Sequence, residues 1–137
     1  MKKVDIEIYT DGACRGNPGP ASYGAVIYQH SKEFATTSNF IGNATNNIAE
    51  YNGLYHGLLK CIELNINTIH VYGDSLLVIN QMLGKWKVKS KNLIPIHQKI
   101  QSLLPKFISI HFHHIPRNQN KRADQLANLA LDQHEQS

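Results

Sequence analysis

Four carboxylates stand at the edges of patterned stretches of the chain. Asp11 follows an alternating apolar run, Glu50 comes early in a segment of three- and four-residue periodicity, Asp74 follows a β-branched run, and Asp124 opens the last periodic segment. Carboxylates are hard oxygen ligands, suited to Mg²⁺ or a similar divalent cation in octahedral geometry. Each is equally suited to form a turn or to complement a helix dipole. Spacing along the chain does not bring the four together, so both readings stand at this level. Three histidines, His111, His113 and His114, crowd another run end. A His-x-His pair suits zinc, but no third ligand follows at a fitting spacing, and surface histidines are the plainer reading. Cys14 and Cys61 lie in no CxxC or other ligand spacing, so two free thiols in a reducing cytoplasm are expected.

The body carrying these groups is basic. The net charge is +4, and setting the four acids apart from the ten leaves six against 14 lysines and arginines. A basic body around an acidic pocket suits a metal-dependent enzyme acting on a polyanion, because the body attracts phosphates while the pocket holds cations. The length, 137 residues, is that of one hydrophobic core, and a single domain over residues 1–137 is expected. The apolar (42%) and charged (18%) fractions fit a soluble globular protein, and no apolar run nears the ~18 residues of a membrane span. Met1-Lys2-Lys3 leads straight into alternation rather than into the apolar stretch of an export signal, so a cytoplasmic protein with no membrane partner is expected.

The elements that must position the acids follow from periodicity. Residues 4–9 alternate with period two, placing Val4, Ile6 and Ile8 on one face of a strand, and Glu7, Tyr9 and then Asp11 on the other, with Asp11 at the strand's end. The Gly/Pro-rich stretch 12–20 reads as a turn. Residues 23–29 and 33–41 read as a hairpin broken at Ser31-Lys32, which makes the opening a three-stranded antiparallel meander. Over 46–64 the period changes, and Ile48, Tyr51, Tyr55, Leu58, Leu59 and Ile62 mark an amphipathic helix capped by Thr45 or Asn46. Residues 68–72 read as a strand ending near Asp74, followed by a helix to Met82. Residues 92–104 read as a helix, 107–114 as a strand, and 120–132 as a closing helix with Ala123, Leu126, Ala127 and Ala130 along one face. Strands joined through helical crossovers pair in parallel, so the expected class is α/β, a mixed five-stranded sheet flanked by helices.

Local context adds a resemblance. The segments Tyr9-Thr10-Asp11-Gly12-Ala13-Cys14-Arg15-Gly16-Asn17-Pro18-Gly19-Pro20, Thr45-Asn46-Asn47-Ile48-Ala49-Glu50, Tyr72-Gly73-Asp74-Ser75, and His114-Ile115-Pro116-Arg117 on to Ala123-Asp124 resemble the successive motifs of the ribonuclease HI family, in that family's order, over residues 9–130. The resemblance implies the ribonuclease H-like fold and a catalytic cluster of Asp11, Glu50, Asp74 and Asp124 that binds two Mg²⁺ or Mn²⁺ ions. It implies an endonuclease that hydrolyses the RNA strand of RNA–DNA hybrids, leaving 3′-hydroxyl and 5′-phosphate ends. Two ions about 3.5–4 Å apart activate water, offset the added negative charge and support the departing alkoxide. By the same resemblance Asp11 bridges the ions and Asp124 completes the ion that activates water. Glu50 and Asp74 hold the ion at the leaving oxygen, and Glu50 also reaches a ribose 2′-hydroxyl. His114 corresponds to a mobile histidine that assists proton transfer or product release.

RNA-containing duplexes are distinguished by shape and by 2′-hydroxyl contacts across a wide minor groove. The resemblance assigns substrate contacts to Cys14, Arg15, Gly16 and Asn17 and to Asn46 and Asn47, and it places Thr45 and Asn92 in a pocket for a phosphate of the DNA strand. Asn43 stands where many relatives carry arginine, and Leu76 where a polar residue is common. Lys85, Lys87, Lys89 and Lys91 alternate with Trp86 and Val88, a pattern suited to a phosphate backbone beside an aromatic ring, with a solvated charge run as the alternative. The chain is too short here for the basic helical protrusion of many bacterial relatives. The expected partner is an RNA–DNA hybrid, with double-stranded RNA as a further candidate, and the expected state is a monomer. Two rival readings share the fold. One is a binding module for hybrid or duplex RNA without turnover, against which the intact acids speak. The other is a resolvase or integrase core, which would lack the Asn-rich loops.

Overall fold

The computed structural model describes residues 6–136, so Val4 lies outside the described residues. Strands β1 (Ile6–Cys14), β2 (Gly19–Gln29) and β3 (Lys32–Ala44) form an antiparallel meander. Helix α1 (Asn46–Glu63) leads to β4 (Thr68–Gly73), α2 (Leu76–Met82) and α3 (Ile94–Leu103) lead to β5 (Ser109–His114), and α4 (Lys121–Gln136) follows. The sheet order is β3-β2-β1-β4-β5, with β4 parallel to β1 and β5 parallel to β4. This is the mixed five-stranded α/β sheet expected from the period changes.

Alternation on β1 sorts its side chains between two layers. Ile6 and Ile8 enter the main core with Ile27, Tyr51, Leu54, Leu58, Ile69 and Val71, beneath α1 and α3. Tyr9 points the other way, toward Val26 and the Ala123 and Leu126 of α4. Helix α1 buries Ala49, Tyr51, Gly53, Leu54, Gly57, Leu58 and Cys61, a stripe turned relative to the expected one, while Ile48, Tyr55, Leu59 and Ile62 pack only at its margin. The cause is small residues: Gly53 and Gly57 set the helix backbone against the main chain of Asp11 and the side chain of Ile8.

Several boundaries differ from the sequence expectation. The first strand does not end at Asp11, because the ladder continues through Gly12↔Tyr23, Ala13↔Ser22 and Cys14↔Ala21, and only a short turn closed by the Arg15 amide on the Pro20 carbonyl (2.9 Å) remains of the stretch read as 12–20. The β2–β3 connection is two residues, His30 and Ser31, both at positive φ, which matches the twist of the strands and fixes the hairpin register. The helix expected from Asn92 starts at Ile94, where Pro95, lacking an amide hydrogen, fits the first turn. A short 3-10 turn, Leu104–Lys106, delays the last strand to Ser109, and α4 runs on to Gln136 rather than stopping at Asp132.

Candidate active site

Two glycines bring helices to Asp11 from opposite faces. A Cβ on Gly12 would lie 2.3 Å from the Ala49 carbonyl carbon, so α1 crosses β1 at backbone contact and delivers Glu50 next to Asp11. Gly24 stands opposite Asp11 in the β1–β2 ladder, and a Cβ there would lie 2.4 Å from the Ala123 carbonyl oxygen, so α4 arrives equally close and brings Asp124. Asp74 follows the last residue of β4, held between the strand and α2 by Ser75, whose hydroxyl accepts from the Val78 amide at 3.3 Å and caps the helix. Two parallel strands and two helix starts therefore converge at one end of the sheet.

Asp11, Glu50 and Asp74 each present a carboxylate oxygen within 4.8 Å of the other two. Asp11 is buried and accepts from the Gly12 amide at 2.9 Å. Asp124 stands outside that trio but lines the same cleft, and its Oδ1 accepts from Asn128 Nδ2 at 3.1 Å. Burial pushes the Asp11 carboxyl up to about 7, with the charges of Asp74 and Asp124 adding to the rise. Glu50 is likewise held well above the ordinary carboxylate range, by burial first and then by Asp11. Among the described residues no lysine or arginine pairs with any of the four. An all-oxygen donor set whose members repel one another, with no paired side-chain cation to offset them, is suited to hard divalent ions.

The cleft beside Asp11 has a volume of about 520 Å³ and is lined by Gly12, Ala13, Cys14, Arg15, Asn46, Asn47, Ser75, Arg117 and Asn128 besides Glu50, Asp74 and Asp124. Four of the expected contact residues, Cys14, Arg15, Asn46 and Asn47, thus reach it, while Gly16, Asn17 and Thr45 stand behind its walls with structural duties. Thr45 caps α1, its hydroxyl accepting from the Ile48 amide at 3.3 Å, and Asn17 Oδ1 accepts from the Asn46 amide at 3.1 Å, tying the first loop to the helix start. The Cys14 thiol lies against the carbonyls of Gly16, Gly19 and Ala44, which closes the loop on the end of β3. Cys14 and Cys61 are both free thiols, as expected. Arg15 is ion-paired with Asp132 (2.6 Å) and Glu135 (2.8 Å) of α4.

Other expected residues stand apart from the cleft walls. His114 ends β5, exposed and in register with Gly73, one residue from Asp74. Trp86, Lys85, Lys87, Lys89 and Asn92 are exposed on the irregular segment between α2 and α3, which the turned-in Val88 and Leu93 anchor to the core. That segment is also held by Gln81, which donates to the Lys87 carbonyl at 3.1 Å and accepts from the Tyr51 hydroxyl. Arg117, Ser75 and Asn128 line the cleft although the sequence pattern gives none of them a role. Asn128 has a signal in its spacing, one helical turn after Asp124, and Arg117 lies within the last of the four motifs.

Comparison with known proteins agrees with this arrangement. A family model described as reverse transcriptase-like matches residues 9–130. A bifunctional protein of Mycobacterium tuberculosis (strain ATCC 25618 / H37Rv) is 45% identical over 136 residues, 98% of this chain but 37% of its own length. The chain thus spans little more than a third of that relative. The solved N-terminal RNase H domain of the same mycobacterial protein is similar with a TM-score of 0.92 at 44% identity, covering 98% of each chain. Ribonuclease HI of Pseudomonas syringae pv. tomato is 32% identical over 141 residues, 93% of each sequence. LC11-RNase H1, solved in complex with an RNA/DNA hybrid, is similar with a TM-score of 0.90 at 38% identity, over 95% of this chain and 99% of its own. With a family model over residues 9–130, a ribonuclease HI relative 32% identical over 93% of each sequence and an RNase H domain at a TM-score of 0.92, the chain belongs to the ribonuclease HI family.

Proposed function

We propose that the chain is a metal-dependent endonuclease that hydrolyses the RNA strand of RNA–DNA hybrids, giving 3′-hydroxyl and 5′-phosphate ends. The observation that carries this reading is the convergence of Asp11, Glu50 and Asp74, paired with no lysine or arginine among the described residues, at a cleft rimmed by Asn46, Asn47 and Arg15. Two Mg²⁺ or Mn²⁺ ions bound there supply an activated water and charge neutralisation at the phosphate. Asp11, Glu50, Asp74 and Asp124 would hold these ions, with Asp124 serving the activated water and Glu50 and Asp74 the leaving oxygen.

The remaining work falls to the chain's own groups. Asn46 and Asn47 open α1 beside Glu50, where side-chain amides meet a minor groove and its 2′-hydroxyls. The backbone of the 14–17 loop and the Arg15 guanidinium face the same groove. Thr45 and Asn92 would flank a phosphate of the DNA strand, and Trp86, Lys87 and Lys89 would extend that contact beyond the cleft. His114, exposed beside Asp74, is free to carry a proton to the departing oxygen.

A single domain acting as a cytoplasmic monomer fits this reading, and double-stranded RNA is a further candidate partner for the test below. No helix among the described residues is long and apolar enough to cross a membrane. The test is to incubate labelled hybrid, duplex DNA and duplex RNA with the chain, with and without Mg²⁺ or Mn²⁺, beside Asp11→Asn. Metal-dependent cutting of the RNA strand, lost in a folded Asp11→Asn variant, is expected. Equal cutting of duplex DNA, or near-normal turnover by Asp11→Asn, overturns it.

A further inference from the structure

The sequence shows His111-x-His113, and the fold brings a third histidine, His70, onto the same face of the sheet. In the parallel β4–β5 ladder His70 stands opposite His111 and Tyr72 opposite His113, while on the other side of β4 Glu7 of β1 stands opposite His70. Ile69 and Val71 take the core face of β4, so the three histidines and Glu7 share the opposite face with Tyr9. Helix α4 lies over β2 and β1 and leaves this part of the sheet open: His70 and His113 are half-buried and His111 is exposed.

The rings are already gathered. His70 Nδ1 lies 2.9 Å from His113 Nε2, and the two near-parallel rings have centroids 5.1 Å apart. The His111 ring is 5.0 Å from that of His70, with its Nε2 at 3.1 Å from the Ser109 hydroxyl. None of these groups belongs to the carboxylate cleft, and none has a place in the hydrolysis described above.

We propose that His70 and His113, with His111 turning in as a third ligand, form a binding site for a divalent transition-metal ion, Cu²⁺ before Ni²⁺. Imidazole suits such ions, and affinity across the first-row series peaks at Cu²⁺. The 2.9 Å between the facing nitrogens is a hydrogen-bond distance, with the ring centres 5.1 Å apart nearly in line with it, so an ion held by both rings replaces that bond. Between two neutral imidazoles one facing nitrogen holds a proton and the other a lone pair. Moving that proton to the far nitrogen of the same ring leaves two lone pairs facing the ion, with no proton released. Burial and the neighbouring His70 and His111 lower the His113 pKa, favouring the neutral form that ligates.

The untagged chain, with excess Mg²⁺ to fill the carboxylate cleft, is titrated with Cu²⁺ by calorimetry and electron paramagnetic resonance. A single bound ion with nitrogen superhyperfine structure from at least two imidazoles is expected. His70→Ala and His113→Ala should each weaken binding by about tenfold or more, as loss of a first ligand or its support does. His111→Ala should lower the nitrogen count while binding persists, and Asp11→Asn should leave the affinity unchanged, which separates this site from the carboxylate cleft. Thermal melting by circular dichroism reports that the variants are folded. Undiminished Cu²⁺ affinity in the folded His70→Ala/His113→Ala double variant, or loss of binding in Asp11→Asn, overturns the proposal.

Discussion

The side-chain amide of Asn120 donates to the carbonyl of Thr10 at 2.9 Å, and both residues are buried. The Asn120 carbonyl in turn accepts from the amide of Asp124 at 3.1 Å. One residue thus ties the strand next to Asp11 to the helical turn that holds Asp124. Removing the donor in Asn120→Ala should cost about 1–3 kcal/mol of stability. Asn120→Asp should cost more, because it sets an acceptor against an acceptor. Urea unfolding measures both, and kcat on hybrid should fall further than KM rises as the two acids lose their common anchor.

The raised carboxyls of Asp11 and Glu50 give stability a pH dependence opposite to that of a salt-bridged acid. The folded chain holds protons that the unfolded chain releases, so the contribution is full below the unfolded carboxyl range and is lost as pH rises through about 7 at Asp11. Without divalent ions the melting temperature should fall between about pH 5 and about pH 8, an effect of order 1–3 kcal/mol. Asp11→Asn should flatten that profile, and Mg²⁺ should stabilise the wild type more at the higher pH. A metal-free profile that rises over this range would contradict the assignment. Cleavage should rise through the same window, since the ions need ionised carboxylates.

Arg15 divides its guanidinium between Asp132 and Glu135. Those acids hold the loop against α4, and they also set negative charge beside an expected phosphate path. The double variant Asp132→Asn/Glu135→Gln should lower KM for hybrid and steepen its dependence on salt, with kcat little changed. A raised KM would mean that loop anchoring outweighs the freed charge.

The lysines at 85, 87 and 89 are exposed along one irregular segment beside Trp86. Changing all three to Ala should weaken hybrid binding and flatten the slope of log K against log salt by up to about 0.9 for each phosphate that is no longer neutralised. Filter binding at several salt concentrations reads both quantities. An unchanged slope would return the run to a solvated face.

Periodicity carries most of the fold. The alternation at Ile6 and Ile8, the three- and four-residue spacing in α1, and the β-branched run before Gly73 each mark their element because burial on one face leaves that imprint. Strand ends are less legible: Gly12 and Gly19 look like turn residues, yet they lie in strands, Gly12 because α1 crosses at backbone distance. The orientation of α1 is obscured for a related reason, since large side chains advertise a stripe whereas Gly53 and Gly57 set the true contact. In the site, each acid is visible at its element boundary, but their meeting is not, because it depends on the β3-β2-β1-β4-β5 order. His70 is invisible as a neighbour of His113 for the same reason: cross-strand register is absent from the local sequence.

The two glycines flanking Asp11 also bear on how the cleft fails. Many sites are carried on loops that open on their own, at low free energy, while the body stays closed. Here Asp11 sits on the central strand, paired with β2 and one residue past the last β1–β4 pair at Thr10, and sandwiched by two helices at backbone contact. The metal-binding end of the sheet therefore has no private opening motion. The amides around Asp11 should exchange with solvent only when the whole domain unfolds, and destabilising changes far from the cleft will show first as fewer active molecules, each still working at full rate.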